Sequence, residues 1–187
     1  MNLVEKIMQV HGKQNDATTF DNATNLEVPQ GKQERAIILD RDGTINKEVE
    51  YLHEPDKFEL LPNASAGMKK MQDMGFKLVV NTLQVGIGLG YFTKEDFYKV
   101  NREMFRKIGP EGIIVERIYF CPHSMNDGCN CRKPKTGLVE QAQKDLNLDI
   151  KHSYFIGDKD QDIECGKKAG MKTIHVTTGH QEELKTQ

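Results

Sequence analysis

Two aspartates separated by one residue, Asp40 and Asp42, have a spacing that suggests chemistry. They follow the short apolar run 36–39, and Gly43 comes directly after them. Two carboxylates this close repel each other unless a cation or a shared proton compensates their charge. Mg²⁺, a hard cation that takes oxygen ligands, would supply that compensation. For the motif taken alone, a turn in which the aspartates cap the backbone is the alternative.

A second cluster contains three cysteines and a histidine. Cys121 and His123 are separated by one residue, and so are Cys129 and Cys131. Three thiolates and one imidazole satisfy a tetrahedral zinc ion and leave no open position for a substrate. The cluster therefore predicts a structural Zn²⁺ site that holds a long loop together. Reduced surface cysteines are the alternative, but they do not explain the paired spacing.

Short apolar runs and helical segments alternate along the chain and would position these residues. The runs, which are typical of strands buried on both faces, are 36–39, 76–80, 117–120, 153–156 and 173–176. The helical segments are 63–74, 93–108, 138–146 and 161–169. This order predicts an α/β fold with a mainly parallel sheet and helices on both faces. Asp40, Thr82, Cys121 and Asp158 lie at strand ends, so we expect them to meet at one edge of the sheet.

Composition limits the classes of protein and partner. The chain has 187 residues, 37% of them hydrophobic, and a formal net charge of −2, which gives no basic field for nucleic acid. The chain has no run of about 18 apolar residues, which a membrane-spanning helix requires, and its N-terminus lacks the apolar core of a signal peptide. We therefore expect a cytoplasmic protein without nucleic-acid or membrane partners. The oligomeric state is left open, with a monomer favoured.

The composition changes near residue 35. Residues 1–34 are polar and rich in Asn, Gln and Thr, which predicts an N-terminal extension or linker. A dimer contact or the remnant of an upstream domain is the alternative. Within this segment, residues 1–10 could form a short amphipathic helix. Residues 35–187 are predicted to form a single domain.

The segment 40–46, with the sequence DRDGTIN, resembles the first motif of the haloacid dehalogenase (HAD) phosphatases. The resemblance implies that Asp40 is a nucleophile that forms an aspartyl-phosphate and that Asp42 is the general acid and base. It also implies a Mg²⁺ site formed by the Asp40 carboxylate, the Asp42 backbone carbonyl and Asp158. The implied fold is a HAD-like Rossmannoid domain with a minimal cap and a zinc-stapled loop.

The same resemblance extends to residues that would bind the substrate. Thr82 matches the residue that hydrogen-bonds the phosphoryl group, and Lys133 matches the lysine that neutralises its charge. Asp162 is expected to support the acidic motif or to cap a helix. The full set of implied substrate contacts is Thr82, Leu83, Gln84, Val85, Arg132, Lys133, Lys159, Glu48 and Tyr51.

The zinc-type loop followed by Arg-Lys-Pro resembles one branch of the HAD phosphatases, over residues 35–180. This branch contains heptose 1,7-bisphosphate phosphatases and histidinol-phosphate phosphatases. The resemblance implies a Mg²⁺-dependent phosphomonoesterase acting on a small phosphorylated sugar. D-glycero-D-manno-heptose 1,7-bisphosphate, losing its 7-phosphate, is the first candidate, and histidinol phosphate is the alternative.

Five positions depart from the pattern of that branch. Leu83, Val85 and Leu89 replace Asn, Ser and Arg, and Val49 and Glu50 replace His-Gly. Leu83, Val85 and Leu89 thus place apolar side chains where the family has polar groups near the phosphate or the sugar. This motivates one alternative, a phosphosugar-binding homologue with weak or lost turnover. The polar N-terminal extension motivates a second, a phosphotransferase domain within a larger protein. The two aspartates of the first motif are retained, which favours an enzyme.

Overall fold

The computed structural model describes residues 19–21 and 31–179. Its strands are β1 (Thr19–Asp21), β2 (Ala36–Leu39), β3 (Lys77–Leu83), β4 (Val115–Cys121), β5 (Tyr154–Gly157) and β6 (Lys172–His175). They form one sheet in the order β1-β4-β3-β2-β5-β6. The five strands β2 to β6 are parallel, and β1 runs antiparallel to β4 at the edge. The predicted mainly parallel sheet is confirmed.

The centre of the sheet is apolar on both faces. All four residues of β2 are buried, and this strand pairs with β3 on one side and β5 on the other. Such double burial is typical of parallel strands covered by helices. β3 extends three residues beyond the predicted run 76–80, so Thr82 lies inside the strand.

The edge strand β1 was not predicted. It lies in the segment 1–34, which the sequence predicts as an extension or linker, and it pairs with β4 at Thr19↔Tyr119 and Asp21↔Arg117. The predicted helix at residues 1–10 lies outside the described residues.

Helices cover both faces of the sheet, as predicted. The α-helices are α1 (Ala64–Asp73), α2 (Val85–Gly88), α3 (Lys94–Ile108), α4 (Gly137–Leu146) and α5 (Asp160–Lys168). Short 3₁₀ turns occur at Pro55–Lys57, Gly109–Glu111 and Ile150–His152. α1 and α3 contribute to one buried cluster, whereas α4 and α5 contribute to a second one. None of the helices in the described part of the chain is long and apolar enough to cross a membrane.

The boundary of α3 follows from its capping residues. Asp96 donates its backbone N–H to Thr93 Oγ1 at 3.2 Å, and Thr93 donates its own N–H to Asp96 Oδ2 at 3.1 Å. This reciprocal pair satisfies donors that the first helical turn leaves without partners. The sequence Thr-Lys-Glu-Asp at residues 93–96 has the pattern of such a capping box.

The segment between β2 and α1, residues 40–63, folds back on itself. Lys47 donates its N–H to the Glu59 carbonyl at 2.9 Å, and Leu61 donates to the Ile45 carbonyl at 3.0 Å. Within residues 40–63, the regular helix is limited to the turn Pro55–Lys57. This agrees with the predicted minimal cap, so the edge of the sheet beside Asp40 is bordered by loops.

Candidate active site

A buried lysine lies between two aspartates at the carboxyl end of the sheet. Lys133 Nζ is 2.8 Å from Asp40 Oδ1 and 2.5 Å from Asp162 Oδ1. It also donates to the backbone carbonyl of Asn81 at 3.0 Å. Burial lowers the pKa of Lys133, but the two carboxylates outweigh this effect and hold the pKa above its ordinary value. The lysine is therefore a permanent positive charge beside Asp40.

One lysine does not balance the carboxylates gathered here. Oxygen atoms of Asp40, Asp158 and Asp162 all lie within 4.8 Å of one another. Burial raises the pKa of Asp40 to about 7; Lys133 lowers it, whereas Asp162 raises it. Burial is also the main cause that raises the pKa of Asp158. A divalent cation with oxygen ligands fits this donor set because it supplies the missing positive charge.

The backbone closes tightly around Asp158. Gly43 has a φ of +88°, and a Cβ atom there would collide with the Asp158 carboxylate. A Cβ atom on Gly179 would meet the same carboxylate. The Thr178 hydroxyl donates to the Gly43 carbonyl at 2.7 Å and connects these two glycine segments. Close approach of the main chain is thus the reason for glycine at residue 43.

The Asp42 side chain is not part of the cluster of three carboxylates and is held by neighbouring side chains. Arg41 Nη2 donates to Asp42 Oδ2 at 2.8 Å, and Arg41 Nε donates to Oδ1 at 3.2 Å. Asn46 Nδ2 donates to Oδ1 and Gln84 Nε2 to Oδ2, both at 2.9 Å. Its predicted contribution to a metal is through the backbone carbonyl, which this side-chain arrangement leaves unaffected.

A cavity of about 310 Å³ opens beside this cluster, and Asp158 and Asp162 are not among the residues that line it. Asp40 and Asp42 line it, and so do all nine of the predicted substrate residues, Glu48, Tyr51, Thr82, Leu83, Gln84, Val85, Arg132, Lys133 and Lys159. The structure thus brings together residues that are up to about 120 positions apart in the sequence, from Asp40 to Lys159. Leu52, Gly86, Phe92 and Gln161 also line the cavity and were not predicted.

Charged groups at the sides of the cavity are partly paired. Lys159 Nζ donates to Glu48 Oε2 at 2.8 Å. Burial lowers the pKa of Lys159, but its bond with Glu48 outweighs burial and raises the pKa. The Arg132 guanidinium donates to the His123 carbonyl, which connects the cavity to the cysteine loop.

The residues that depart from the family pattern occupy two different environments. Leu83 and Val85 line the cavity, at the end of β3 and the start of α2, and Val49 and Glu50 line it as well. Leu89 is 45% exposed and is not among the lining residues. The apolar replacements at residues 83 and 85 therefore bear on the cavity directly, whereas the one at residue 89 does not.

The cysteines and histidine of the second cluster converge at one point. Cys121 Sγ lies 3.7 Å from Cys129 Sγ and from His123 Nδ1, and His123 Nδ1 lies 3.0 Å from Cys131 Sγ. Ligands at zinc–sulfur distances of about 2.3 Å in a tetrahedron are about 3.8 Å apart, so the residues fit a closed zinc site. Burial raises the pKa of the Cys121 thiol, a cost that a bound cation offsets.

The cysteine loop packs closely against α2, the helix beside the cavity. A Cβ atom on Gly88 in α2 would lie 2.6 Å from the Pro122 carbonyl oxygen and 2.6 Å from the Ser124 nitrogen. The loop therefore rests directly against the turn that follows Val85. Lys133 comes two residues after Cys131, so the same loop delivers the buried lysine to Asp40.

Two supporting side chains were not predicted from the sequence. Arg41 is fully buried and Asn101, in α3, accepts a hydrogen bond from its Nη1 at 3.1 Å. In the sequence, Arg41 is only the residue between the two aspartates of the first motif, and no sequence pattern indicated a role for Asn101. The one available signal was a charged residue next to a run predicted to be buried.

Comparisons with known proteins agree with this geometry. A family profile described as HAD-hydrolase-like matches residues 130–187. The D-glycero-beta-D-manno-heptose-1,7-bisphosphate 7-phosphatase of Haemophilus ducreyi is 39% identical over 153 residues, which cover 78% of this chain and 84% of that protein. The D-glycero-alpha-D-manno-heptose-1,7-bisphosphate 7-phosphatase of Photorhabdus laumondii is 37% identical over 154 residues, with the same coverage of 78% and 84%.

A solved structure has the same fold. It is the D,D-heptose 1,7-bisphosphate phosphatase of B. bronchiseptica complexed with magnesium and phosphate. It superposes with a TM-score of 0.75 at 29% identity and covers 80% of this chain and 84% of that chain. A second structure, of the enzyme of the same name from Burkholderia thailandensis, has a TM-score of 0.60 at 23% identity and supports the fold.

Proposed function

The chain belongs to the HAD phosphatase family that includes the heptose-1,7-bisphosphate 7-phosphatases, and we propose that its reaction proceeds through Asp40 and Asp42. The observation that carries this proposal is the buried contact between Asp40 and Lys133 at the base of a cavity that Asp42 also lines. A carboxylate beside a fixed cation can approach a phosphate dianion that it would otherwise repel.

In the first step, an Asp40 carboxylate oxygen attacks phosphorus as the bond from phosphorus to the sugar oxygen breaks. The departing oxygen takes a proton from Asp42, so the products are a neutral alcohol and an aspartyl-phosphate on Asp40. Lys133 stabilises negative charge on the phosphoryl oxygens, and Thr82 donates a hydrogen bond to them.

In the second step, a water molecule attacks the phosphorus of the aspartyl-phosphate. Asp42, now a carboxylate, accepts a proton from that water while the bond to Asp40 breaks. Inorganic phosphate leaves, and both side chains return to their initial states. The two roles of Asp42 are opposite halves of one proton cycle.

Mg²⁺ is the proposed catalytic metal, held by the carboxylates of Asp40 and Asp158 and the backbone carbonyl of Asp42. When bound, it supplies positive charge that reduces repulsion between the attacking carboxylate and the phosphate. Asp162 is proposed to hold Lys133 instead of the metal, because its Oδ1 lies 2.5 Å from Nζ.

Zn²⁺ is the proposed occupant of the cluster of three cysteines and one histidine. Four protein ligands leave no open coordination position, so its role is to hold the loop that carries Arg132 and Lys133. Three unoxidised thiols with this spacing suit a reducing compartment, and we propose a cytoplasmic location on that basis.

The proposed substrate is a small phosphorylated sugar, with D-glycero-D-manno-heptose 1,7-bisphosphate as the specific candidate. Its support is the substrate in the names of the relatives and a cavity of about 310 Å³, which suits a molecule of this size. The two relatives named above carry different anomers in their names, so both anomers belong in the test.

The test is phosphate release in the presence of Mg²⁺ from a panel of phosphate esters. The panel contains both anomers of heptose 1,7-bisphosphate, histidinol phosphate and fructose 1,6-bisphosphate, and Asp40→Asn serves as the control. Release from a heptose ester that Asp40→Asn abolishes supports the proposal. Absence of release from every ester, with folded and zinc-loaded protein, refutes hydrolysis and favours a binding or transferase role.

A further inference from the structure

A fully buried arginine next to the cavity has no role in the reaction as described so far. Arg41 is 0% exposed and lies between the two aspartates of the first motif. Its guanidinium contacts Asp42 through Nε and Nη2 and Asn101 through Nη1, and its Cζ lies 5.2 Å from the centre of the Phe97 ring. Asp42 lines the cavity, whereas Arg41, Asn101 and Phe97 do not.

Burying a guanidinium is costly unless its charge and its donors are satisfied. Here the carboxylate of Asp42 supplies the opposite charge, Asn101 supplies a neutral acceptor, and the Phe97 ring supplies a face for a cation–π contact. The planar fork of arginine fixes both carboxylate oxygens at once, which a single ammonium group cannot do. The arrangement therefore fixes the orientation of the Asp42 side chain in addition to compensating its charge.

The anchoring extends into the backbone and into a distant helix. The Arg41 carbonyl accepts the N–H of Ile45 at 2.8 Å, which fixes the turn after Asp42. Asn101 is itself fully buried in the middle of α3, 60 residues along the chain. The position of the guanidinium is thus set by the helix packing on this face of the sheet.

We propose that Arg41 is a positioning residue that aims the Asp42 carboxyl group at the leaving oxygen, and that Asn101 in turn positions Arg41. The inference rests on the proposed role of Asp42 as general acid. Its consequence is a dependence on the leaving group. A sugar alkoxide needs a correctly placed proton donor to depart, whereas 4-nitrophenolate departs readily without one.

The experiment compares two phosphate esters of similar size, benzyl phosphate and 4-nitrophenyl phosphate, in the presence of Mg²⁺. The quantity measured is kcat/KM, which reports the steps up to departure of the leaving group and excludes hydrolysis of the intermediate on Asp40. The first variant is Arg41→Lys, which keeps the positive charge but loses the planar guanidinium fork. The second is Asn101→Leu, at a residue that contacts neither Asp42 nor the cavity. Asp42→Asn provides the reference for loss of the acid itself.

We expect Arg41→Lys to lower kcat/KM for benzyl phosphate by roughly 10²-fold and Asn101→Leu by roughly 10-fold, since general acids contribute about 10²- to 10⁴-fold. Both variants should lower the value for 4-nitrophenyl phosphate by less than about 3-fold, because that ester needs no acid. Arg117→Lys is the matched control, because it alters another partly buried pair, 3.1 Å from Asp145, outside the cavity. It should leave the ratio of the two esters unchanged.

The outcomes separate this inference from the proposed function. If Asp42→Asn lowers kcat/KM for the two esters by the same factor, the assigned role of Asp42 as general acid fails, and the inference fails with it. If Asp42→Asn discriminates between the esters but Arg41→Lys and Asn101→Leu slow both equally, Asp42 keeps its role and the positioning inference is overturned. Should Arg41→Lys not fold, as judged by circular dichroism, the result for Asn101→Leu decides.

Discussion

Removal of the Asp162 carboxylate tests the buried charge network most directly. Asp162 is fully buried, its Oδ1 lies 2.5 Å from Lys133 Nζ, and its Oδ2 accepts the backbone N–H of Lys159 at 3.1 Å. Asp162→Ala therefore removes one of the two carboxylates that hold the ammonium group and also the acceptor at the start of α5. Lys133 then remains paired with Asp40 alone.

The magnitude follows from the burial of the pair. Removing one partner of a buried ion pair costs about 3–5 kcal/mol when the other charge is left uncompensated. Asp40 still compensates Lys133 here, so the expected cost of Asp162→Ala is at the lower end, about 3 kcal/mol, which is a large share of the 5–15 kcal/mol that typical domains possess. Asp162→Asn keeps an oxygen acceptor near Lys133 and loses only the charge, so the expected cost is smaller, about 1–3 kcal/mol. Because Asp162 helps to raise the pKa of Asp40, both variants should also lower that pKa.

The assay is urea unfolding in Mg²⁺-free buffer, with the free energy of unfolding extrapolated to water. Asp160→Ala is the control, because Asp160 lies in the same first turn of α5 but is exposed. We expect the control to cost less than about 1 kcal/mol. If Asp162→Ala costs no more than Asp160→Ala, the contact between Lys133 and Asp162 is not the buried pair described above.

Three other results are expected. Protein purified without chelator should contain one zinc ion per chain, and Cys129→Ser should lose that metal and unfold at a lower temperature, as measured by metal analysis and calorimetry. Burial raises the pKa of Asp40 from 3.8 to about 7, so its ionisation opposes folding as the pH rises between those values. The unfolding temperature of Mg²⁺-free protein should therefore fall between about pH 4 and about pH 7, and Asp40→Asn should reduce that fall. Leu83→Asn combined with Val85→Ser places polar groups in the cavity. This double variant should raise kcat/KM for heptose 1,7-bisphosphate by roughly 10-fold, because one added hydrogen bond to a charged group is worth about that much. An unchanged value would show that these positions do not contact the substrate.

The sheet could be predicted because most of its strands correspond to short apolar runs in the sequence. The adjacent residues Ile37 and Ile38 are buried in the two different clusters on opposite faces of the sheet, and burial on both faces requires uninterrupted apolar sequence. β1 has the sequence Thr-Phe-Asp, which contains a single large apolar residue. Its pairing depends on the partner strand and not on its own composition, so no local pattern indicated it.

The candidate site was predictable where chemistry dictates residue type, and less so where packing does. Asp40 and Lys133 belong to recognisable motifs, and the parallel topology brings their side chains within 2.8 Å although they are 93 residues apart. Asn101 has no motif, because an asparagine on a helix carries no indication of the partner that it will meet. The contact between Asn101 and Arg41 follows from the packing of α3 on the sheet, which a single sequence does not specify.

The antiparallel edge strand has a practical consequence for truncated versions of the protein. A chain that starts at Arg35, where the composition changes, lacks β1 and leaves one side of β4 without its backbone hydrogen-bond partners. Exposed strand edges of this kind recruit strands from other molecules and promote aggregation. Such a shortened protein would retain every residue of the cavity and would nevertheless be expected to precipitate at concentrations at which the full chain stays dispersed.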